Sequence, residues 1–389
     1  MTKKKILVFL HYYLPGFKSG GPVRTLANMV EQLGDEFEFL IVTSDRDTLD
    51  KKPYPNVVGD KWHRLGKAWV YYTSKRNQGF STWKRLIKET RHDILYLNSL
   101  FDPLFTILPL IAYKIGRGYG DKIVIAPRGE LFPGALGVKW WKKIPYLYLF
   151  RLLGLYSHSV WHASTIEEKR YIQRWFGKSE LIIIARNLSV SQVKSNICNC
   201  NHKISSDLRI VFLSRICRNK NLSYALKILA TISLNIKFDI WGTMGDLDYW
   251  EKCQKKINKL PPNINVCYQG VAENSKVIEI LSNYDLFFFP TLGENFGHVI
   301  AEALTAGIPV LISDRTPWKD LKAKGVGWDL SLDNDNAFVK AIETVAVMDY
   351  EKRRKMCLHI QKYSEKKLTD PSIVAANRQM FLQTLNNCS

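Results

Sequence analysis

The sequence predicts an α/β protein built from two Rossmann-like, doubly wound sheets that face each other across a cleft. Three observations carry this expectation. Short, wholly apolar runs alternate with amphipathic stretches in both halves of the chain. The alternation stops once, in a polar Ser/Asn/Cys-rich stretch from about 188 to 207, and then restarts. The length, 389 residues, suits two domains of ordinary size. Strands buried on both faces and separated by helices belong to parallel sheets covered on either side. The first domain is set at 1–190 and the second at 207–370, with a helix over 371–387 expected to pack back on the first.

In the first half, KILVFL (5–10) reads as a buried strand. A glycine-containing loop leads to a helix over 22–33, with Pro22 near its first position, where a missing N–H costs nothing. FEFLIVTS (37–44) is the next strand. Ser81 is a candidate N-cap for a helix over 81–91, and DILYLN (93–98) and KIVIAP (122–127) are strands. SVWHAS (159–164) leads into a helix from Thr165, with Ser164 and Glu167 spaced as a capping box. LIIIA (181–185) closes this half. The second half repeats the scheme: strands at 208–214, 237–242, 264–270, 285–290 and 309–313 enclose helices at 221–232, 246–258, 274–283 and 297–306.

Composition bounds the partners. With 56 Lys/Arg against 36 Asp/Glu the net charge is +20, and residues 1–190 hold 30 basic and 16 acidic residues, so +14 of it. Such a balance points to anionic partners: nucleic acid, an acidic membrane surface or a phosphorylated substrate. The 46% apolar content excludes disorder as the main description. Seven cysteines without a secretory signal indicate a reduced, cytoplasmic compartment. Cys198, Cys200 and His202 have no matching fourth ligand and read as loop residues. The most apolar stretch, 100–113, contains Asp102, Pro103 and Pro109 and is too short to span a bilayer.

Ligands of doubly wound sheets bind at the carboxyl ends of the strands, so loops after strands hold the candidate chemistry. Lys18-Ser19-Gly20-Gly21-Pro22 follows the first strand; its glycines admit a phosphate at a helix N-terminus, and a tight turn explains them equally. LSRICRNKNL (213–222) presents Arg215, Arg218 and Lys220, which suit a diphosphate or are ordinary surface charge. FFFPTLGENFGHVIAEALTAGIPVLIS (287–313) is more specific. A buried strand ends at Pro290, Glu294 stands in a glycine-flanked loop, and a helix from Gly297 carries Glu302. Two carboxylates and free helix amides suit the hydroxyls of a ribose and a sugar.

Glu294 and Glu302 are spaced E-x7-E, and this stretch resembles glycosyltransferase family 4, retaining enzymes of the GT-B fold. The resemblance extends to SGGPVR (19–24), APRGELFPGAL (126–136), LSRICRNKNL and WGTMGD (241–246), and so to most of the chain. It is nearest to bacterial enzymes of O-antigen, capsule or exopolysaccharide synthesis. It implies a hexosyltransferase that moves a sugar from a nucleotide-diphosphate sugar, UDP favoured, to a lipid-linked saccharide. By position, Arg215 and Lys220 match the pair on the donor diphosphate, Glu302 the carboxylate on the ribose and Glu294 the one beside the sugar hydroxyls. Gly20, Gly21, Gly242, Asn295, Phe296, Gly297, His298 and Val299 match further donor contacts. Arg24 and Asn98 match an acceptor or phosphate loop. Relatives carry His where this chain has Arg128-Gly129-Glu130 and where it has Asn98. The general base is therefore open: Glu130 serves, or none is needed and the acceptor proton goes to a departing phosphate oxygen.

No metal cofactor is expected, although Asp45-x-Asp47 and Asp246-x-Asp248 resemble the D-x-D motif of the other large glycosyltransferase fold. The segment Lys139–Arg151 combines Lys and Arg with Trp140, Trp141, Tyr146 and Tyr148, as an interfacial helix on anionic lipid does. A peripheral location on the inner face of the cell membrane follows. Two other classes compete. A GT-B nucleotide-sugar epimerase or phosphorylase shares the cleft but is disfavoured by the E-x7-E helix with the Arg215/Lys220 loop. A nucleic-acid-binding protein rests on charge alone, with no accompanying motif.

Overall fold

The computed structural model describes residues 2–116, 122–137, 139–178, 180–189 and 207–387. Cys198, Cys200 and His202 and nearly all of the expected linker lie outside them. The chain divides into two compact units, Met1–Ser191 with Asp370–Ser389, and Gln192–Thr369.

Unit 1 runs β1 (Lys4–Phe9), α1 (Gly21–Leu33), β2 (Phe37–Ser44), β3 (Trp62–Leu65), β4 (Ala68–Thr73), α2 (Phe80–Glu89), β5 (Ile94–Leu97), α3 (Leu108–Gly116), β6 (Lys122–Ile125), α4 (Pro133–Leu136), α5 (Trp140–Leu152), β7 (Ser159–Ala163), α6 (Ile166–Phe176) and β8 (Ile182–Ile184). The sheet order is β3-β4-β2-β1-β5-β6-β7-β8. All pairs are parallel except β3 with β4, an edge hairpin. The two-residue period of β1 explains its wholly apolar sequence. Ile6 and Val8 enter one core layer, with Leu26 of α1 and Met380 of the C-terminal helix. Leu7 and Phe9 enter the other, with Trp83 of α2 and Leu110 of α3. The C-terminal helix docks through Phe381, which meets Phe37 at 5.3 Å and Tyr96 at 5.7 Å between ring centroids.

Unit 2 runs β9 (Leu208–Leu213), α7 (Leu222–Leu229), β10 (Ile236–Trp241), α8 (Leu247–Ile257), β11 (Ile264–Gly270), α9 (Val277–Leu281), β12 (Leu286–Phe289), α10 (His298–Thr305), β13 (Val310–Ser313), β14 (Gly327–Leu330), α11 (Asp335–Ala346) and α12 (Tyr350–Leu368), before α13 (Pro371–Asn386) returns to unit 1. Its order, β11-β10-β9-β12-β13-β14, is that of a dinucleotide-binding sheet. In both sheets the strand order reverses beside the first strand: between β1 and β5 in unit 1, and between β9 and β12 in unit 2.

Local capping differs from expectation at two places. Ser81 lies inside α2, whose N-cap is Gly79 with no side-chain bond. The α6 box is shifted by one residue: Thr165 caps, accepting from the Glu168 amide at 3.0 Å, and the Glu168 carboxylate returns to the Ser164 amide at 2.8 Å. The shift follows from burial, since Glu168 is needed inside, where it also accepts from the Gly129 amide at 2.6 Å.

Candidate active site

In unit 2 the loops after β9 and β12 meet where the strand order reverses. Asn219 and Asn221 lace them together. The Asn219 carbonyl accepts from the Leu292 amide at 2.8 Å and its side chain donates to the Gly293 carbonyl at 3.1 Å. Asn221, in the left-handed region at φ 58°, donates to the Pro290 carbonyl at 3.0 Å. This lacing brings the Lys220 ammonium to 2.5 Å from Glu294 Oε2, with both side chains largely buried and the ammonium 5.5 Å from the centre of the Phe289 ring. The sequence placed these two groups on different parts of a ligand; the structure joins them. An ammonium has three donors, so Lys220 keeps two for an anion while Glu294 fixes the third.

Arg215 is exposed, its aliphatic part against Gly245, where an added Cβ would lie 2.8 Å from Arg215 Cγ and Cδ. Arg218 is spoken for by Asp246, at 3.1 Å. Asp246 in turn caps α8 through the Tyr249 amide at 3.0 Å, so this half of one D-x-D motif is a helix cap. Asp47 of the other accepts from the amides of Phe17, Lys18 and Thr48 at 2.7, 3.0 and 2.7 Å, and Asp45 pairs with Arg46 at 2.7 Å. Among the described residues, no cluster of three His, Cys, Asp or Glu side chains is arranged to hold a metal ion.

Gly242 adopts φ 141°, and a Cβ there would lie 1.8 Å from the Ser214 carbonyl oxygen. The loop after β10 is thereby pressed against the loop after β9. Gly297, at φ 79°, caps α10, where a Cβ would meet Ile300 at 2.7 Å and Glu294 Cγ at 3.1 Å. Asn295 and Phe296 precede this cap. The Phe296 carbonyl accepts from the Trp318 indole at 2.6 Å, and the ring lies 4.7 Å from that of His298. His298 and Val299 open α10, and Glu302 is half-buried on it.

In unit 1, Gly20 caps α1 at φ 73°, Gly21 is its first residue, and Arg24 lies in its first turn, its guanidinium pKa pushed down to about 10 by burial. Arg128 has a left-handed backbone, φ 54°. Its guanidinium donates to Asn98 Oδ1 at 2.7 Å, Asn187 Oδ1 at 2.7 Å and the Tyr96 hydroxyl at 2.7 Å. These partners are all neutral. The Tyr96 hydroxyl also meets His162 Nδ1 at 2.6 Å, and His162 Nε2 meets the Ala185 carbonyl at 2.8 Å. A carbonyl only accepts, so Nε2 carries the proton and Nδ1 accepts from Tyr96. Burial, with Arg128 adding to it, pushes the His162 pKa down to about 3, and burial pushes Tyr96 up to about 12.

Glu130 stands apart from this network. Its oxygens accept from Ser99 Oγ at 3.0 Å and from the amides of Leu100 and Phe101 at 2.6 and 3.2 Å. Burial pushes its pKa up, and these donors partly oppose the shift. The carboxylate is engaged in fixing the 99–101 turn. Sequence reasoning missed three groups here: Glu168, Asn187 and a pair formed by His11 and Asp102, with Nδ1 2.7 Å from Oδ2. His11 directly follows a buried strand and Asp102 directly precedes Pro103 at the start of a helical turn, which were the available signals.

Comparison with known proteins agrees with this architecture. The family described as Glycosyl transferases group 1 matches over residues 199–366. An uncharacterized 41.2 kDa protein in the cps region of Klebsiella pneumoniae is 22% identical over 281 residues, 70% of this chain and 75% of that protein. Anabaena HepE in complex with UDP-glucose has the same fold, with a TM-score of 0.71 at 17% identity, over 97% of this chain and 98% of that one. Sucrose-phosphate synthase from Thermosynechococcus elongatus gives 0.72 at 13% identity, over 98% and 99%. Residues 199–366 carry a glycosyl transferases group 1 domain, and the chain has the fold of GT-B glycosyltransferase structures.

Proposed function

We propose that the protein is a retaining family 4 enzyme that moves a hexosyl group from a UDP-sugar to a lipid-linked saccharide in bacterial surface polysaccharide synthesis. In this reading unit 2 binds the donor and unit 1 the acceptor. The observation that carries it is the Lys220–Glu294 pair at the strand-order reversal of unit 2, beside the N-terminus of α10. As the glycosidic bond breaks, negative charge builds on the diphosphate. The two remaining ammonium donors of Lys220, the exposed Arg215 and the α10 amides offer it fixed positive charge. Glu294 beside the sugar and Glu302 beside the ribose accept hydroxyl hydrogens. The relative from a cps region and the UDP-glucose complex of HepE support the pathway and the donor base.

No divalent metal is needed in this scheme. Asp246 caps α8, Asp47 accepts from loop amides and Asp45 pairs with Arg46, and in this reading the cations offered to the leaving group are the protein's own. Melting temperature against a panel of nucleotide sugars tests the donor. A UDP-sugar at a hundred times its Kd stabilises its site by about 2.7 kcal/mol through mass action. A rise with GDP-sugars alone would change the base, and no rise with any of them would remove the donor reading.

Glu302→Ala is expected to weaken UDP binding roughly tenfold or more while leaving the urea midpoint near the parent's, since a hydrogen bond to a charged group contributes about 1.5–3 kcal/mol. Calorimetric titration checks this, and unchanged affinity would remove the ribose role.

The acceptor reading includes a peripheral site on anionic lipid. On α5 and just after it, Trp140, Trp141, Leu149, Leu152 and Leu153 are exposed, Leu152 by 85%, among Lys139, Lys142 and Arg151. The Lys142 ammonium lies 4.7 Å from the Trp141 ring centre. Aromatic rings flanked by cations match the headgroup layer of an anionic bilayer. Among the described residues no helix is long and apolar enough to cross a membrane. Replacing Trp140, Trp141, Lys142 and Lys143 by Ser is expected to abolish co-sedimentation with phosphatidylglycerol vesicles at physiological salt and to leave UDP affinity unchanged. Parental sedimentation of that variant would make α5 an ordinary surface helix.

A further inference from the structure

We propose that unit 1 binds the carboxylate of an acidic sugar, a hexuronate, at Arg128, and that the acceptor saccharide carries such a residue. This rests on the reading of unit 1 as the acceptor unit and names the chemical class of that acceptor. Every group involved belongs to unit 1.

The place is the carboxyl end of the unit 1 sheet. Asn98 directly follows β5, and Arg128 and Asn187 follow β6 and β8 by three residues each. Ligands of parallel α/β sheets bind outside those ends. Arg128 is half-buried, and both asparagines are buried.

A guanidinium only donates, so each asparagine that meets it turns its amide oxygen inward and leaves Nδ2 on its other prong. Asn98 Oδ1 accepts from Nε and Nη2 of Arg128 at 3.2 and 2.7 Å, and Asn187 Oδ1 accepts from Nη1 at 2.7 Å. The Tyr96 oxygen accepts from Nη2 at 2.7 Å, and its hydrogen goes to His162 Nδ1. The acceptors around the guanidinium are thereby consumed, and the groups left over are donors. Asn98 Nδ2 is enclosed and has no partner among the described residues. Among the same residues no bond reaches the second Nη1 hydrogen of Arg128 or Nδ2 of Asn187. A cation with only donors to spare beside it suits the oxygens of an anion.

The cluster does not neutralise Arg128 from within. Burial holds the His162 pKa down at about 3 and the Tyr96 pKa up at about 12, so both are neutral at physiological pH. Glu168 acts on Tyr96 from a distance. Its oxygens are taken by the amides of Gly129 and Ser164, at 2.6 and 2.8 Å, and by the Ser164 hydroxyl at 2.7 Å, and none of its bonds is to the guanidinium. The charge also selects the anion. Among the described residues Arg128 is the one cation that acts on Tyr96 or His162. A carboxylate carries a single negative charge, whereas a phosphate monoester carries about −1.5 to −2 at neutral pH and calls for a second cation. The planar fork of arginine matches a carboxylate in shape as well.

The test titrates the full-length, isotope-labelled protein with methyl glucuronide, methyl glucoside and glucose 6-phosphate. It follows the Arg128 Nε–H and Gly129 amide resonances, and UDP affinity of the parent is measured by calorimetry. The glucuronide is expected to move both resonances saturably, the glucoside to leave them in place, and glucose 6-phosphate to bind there more weakly than the glucuronide. Arg128→Gln keeps donors for the asparagine oxygens without the charge, and should weaken the glucuronide about tenfold or more, the scale of a hydrogen bond to a charged group. Arg128→Lys should restore part of that affinity. Equal shifts with the glucoside, tighter binding of glucose 6-phosphate, or parental glucuronide affinity in Arg128→Gln each overturn the proposal. The parent alone also decides, whatever the variants' stability: if Arg128 only balances Glu168, the glucuronide moves neither resonance and the proposal falls. Such a failure with UDP binding intact leaves the transferase reading standing. Absence of both UDP binding and UDP release from UDP-glucose in the parent overturns the reading beneath it.

Discussion

Lys220→Ala is expected to lower kcat about a hundredfold with a smaller change in donor KM. A charge fixed at the leaving diphosphate acts more strongly in the transition state than in the ground state, and only that difference enters kcat. Removing one preorganised donor of this kind costs on the order of 3 kcal/mol. The ion pair adds a second consequence. Without Lys220, Glu294 is left largely buried without its cation, and it then repels the diphosphate. Lys220→Gln, which keeps a hydrogen-bond donor for Glu294 but no charge, should recover fold stability and little of the rate. Steady-state UDP release by both variants is the check. Near-parental kcat in either one would mean that the ammonium serves Glu294 alone and does not face the leaving group.

Gly242→Ala is expected to cost about 3 kcal/mol or more of stability, the scale of forced backbone movement. A Cβ would lie 1.8 Å from the Ser214 carbonyl oxygen, and backbone at φ 141° is strained for any side chain. The contact cannot be relieved by a rotamer change, because both partners are backbone. Relief would part the loops after β9 and β10, which are joined by the Ser214 amide on the Trp241 carbonyl at 2.9 Å and the Ile216 amide on the Thr243 carbonyl at 2.8 Å. UDP binding should fall with stability. Gly270→Ala is the control: its φ is 86° but a Cβ meets nothing within 4 Å, so it carries the left-handed strain of roughly 1–2 kcal/mol without the clash. Urea midpoints at unchanged slope measure both. Equal midpoints for the two variants would mean that the β9–β10 loop contact is not held as tightly as the backbone distance requires.

The central strands, such as β1, β5 and β12, were legible because they are buried on both faces and so are written as apolar runs. FEFLIVTS and INVCYQG coincide with β2 and β11 to the residue. The hairpin β3–β4 was not. Trp62-His63-Arg64-Leu65 is a solvent-facing edge strand whose sequence has no apolar run. The helix 274–283 proved to be a tight turn at Asn274–Lys276 followed by the short α9, since five residues bury only Val277 and Leu281. At the site, the E-x7-E spacing was readable because a strand, a glycine loop and a helix lie within one short segment. The partners of those residues were not readable: Lys220 and Glu294 are 74 residues apart, and His11 and Asp102 are 91 apart. Each pair is made by the strand order, which brings β9 beside β12 and β1 beside β5. Neither a propensity nor a spacing within a loop encodes that adjacency.

The central claim is that a nucleoside diphosphate binds unit 2 at its strand-order reversal. Titration of isotope-labelled protein with UDP, followed through backbone amide resonances, tests it most directly. The account predicts one site per chain. The largest shifts should fall on residues 215–220 after β9, on Gly242 and its neighbours, and on 294–302 at the start of α10, with unit 1 resonances comparatively unmoved. Shifts concentrated in unit 1, or on the solvent face of α8 or α12, or no shifts at saturating UDP, would contradict it.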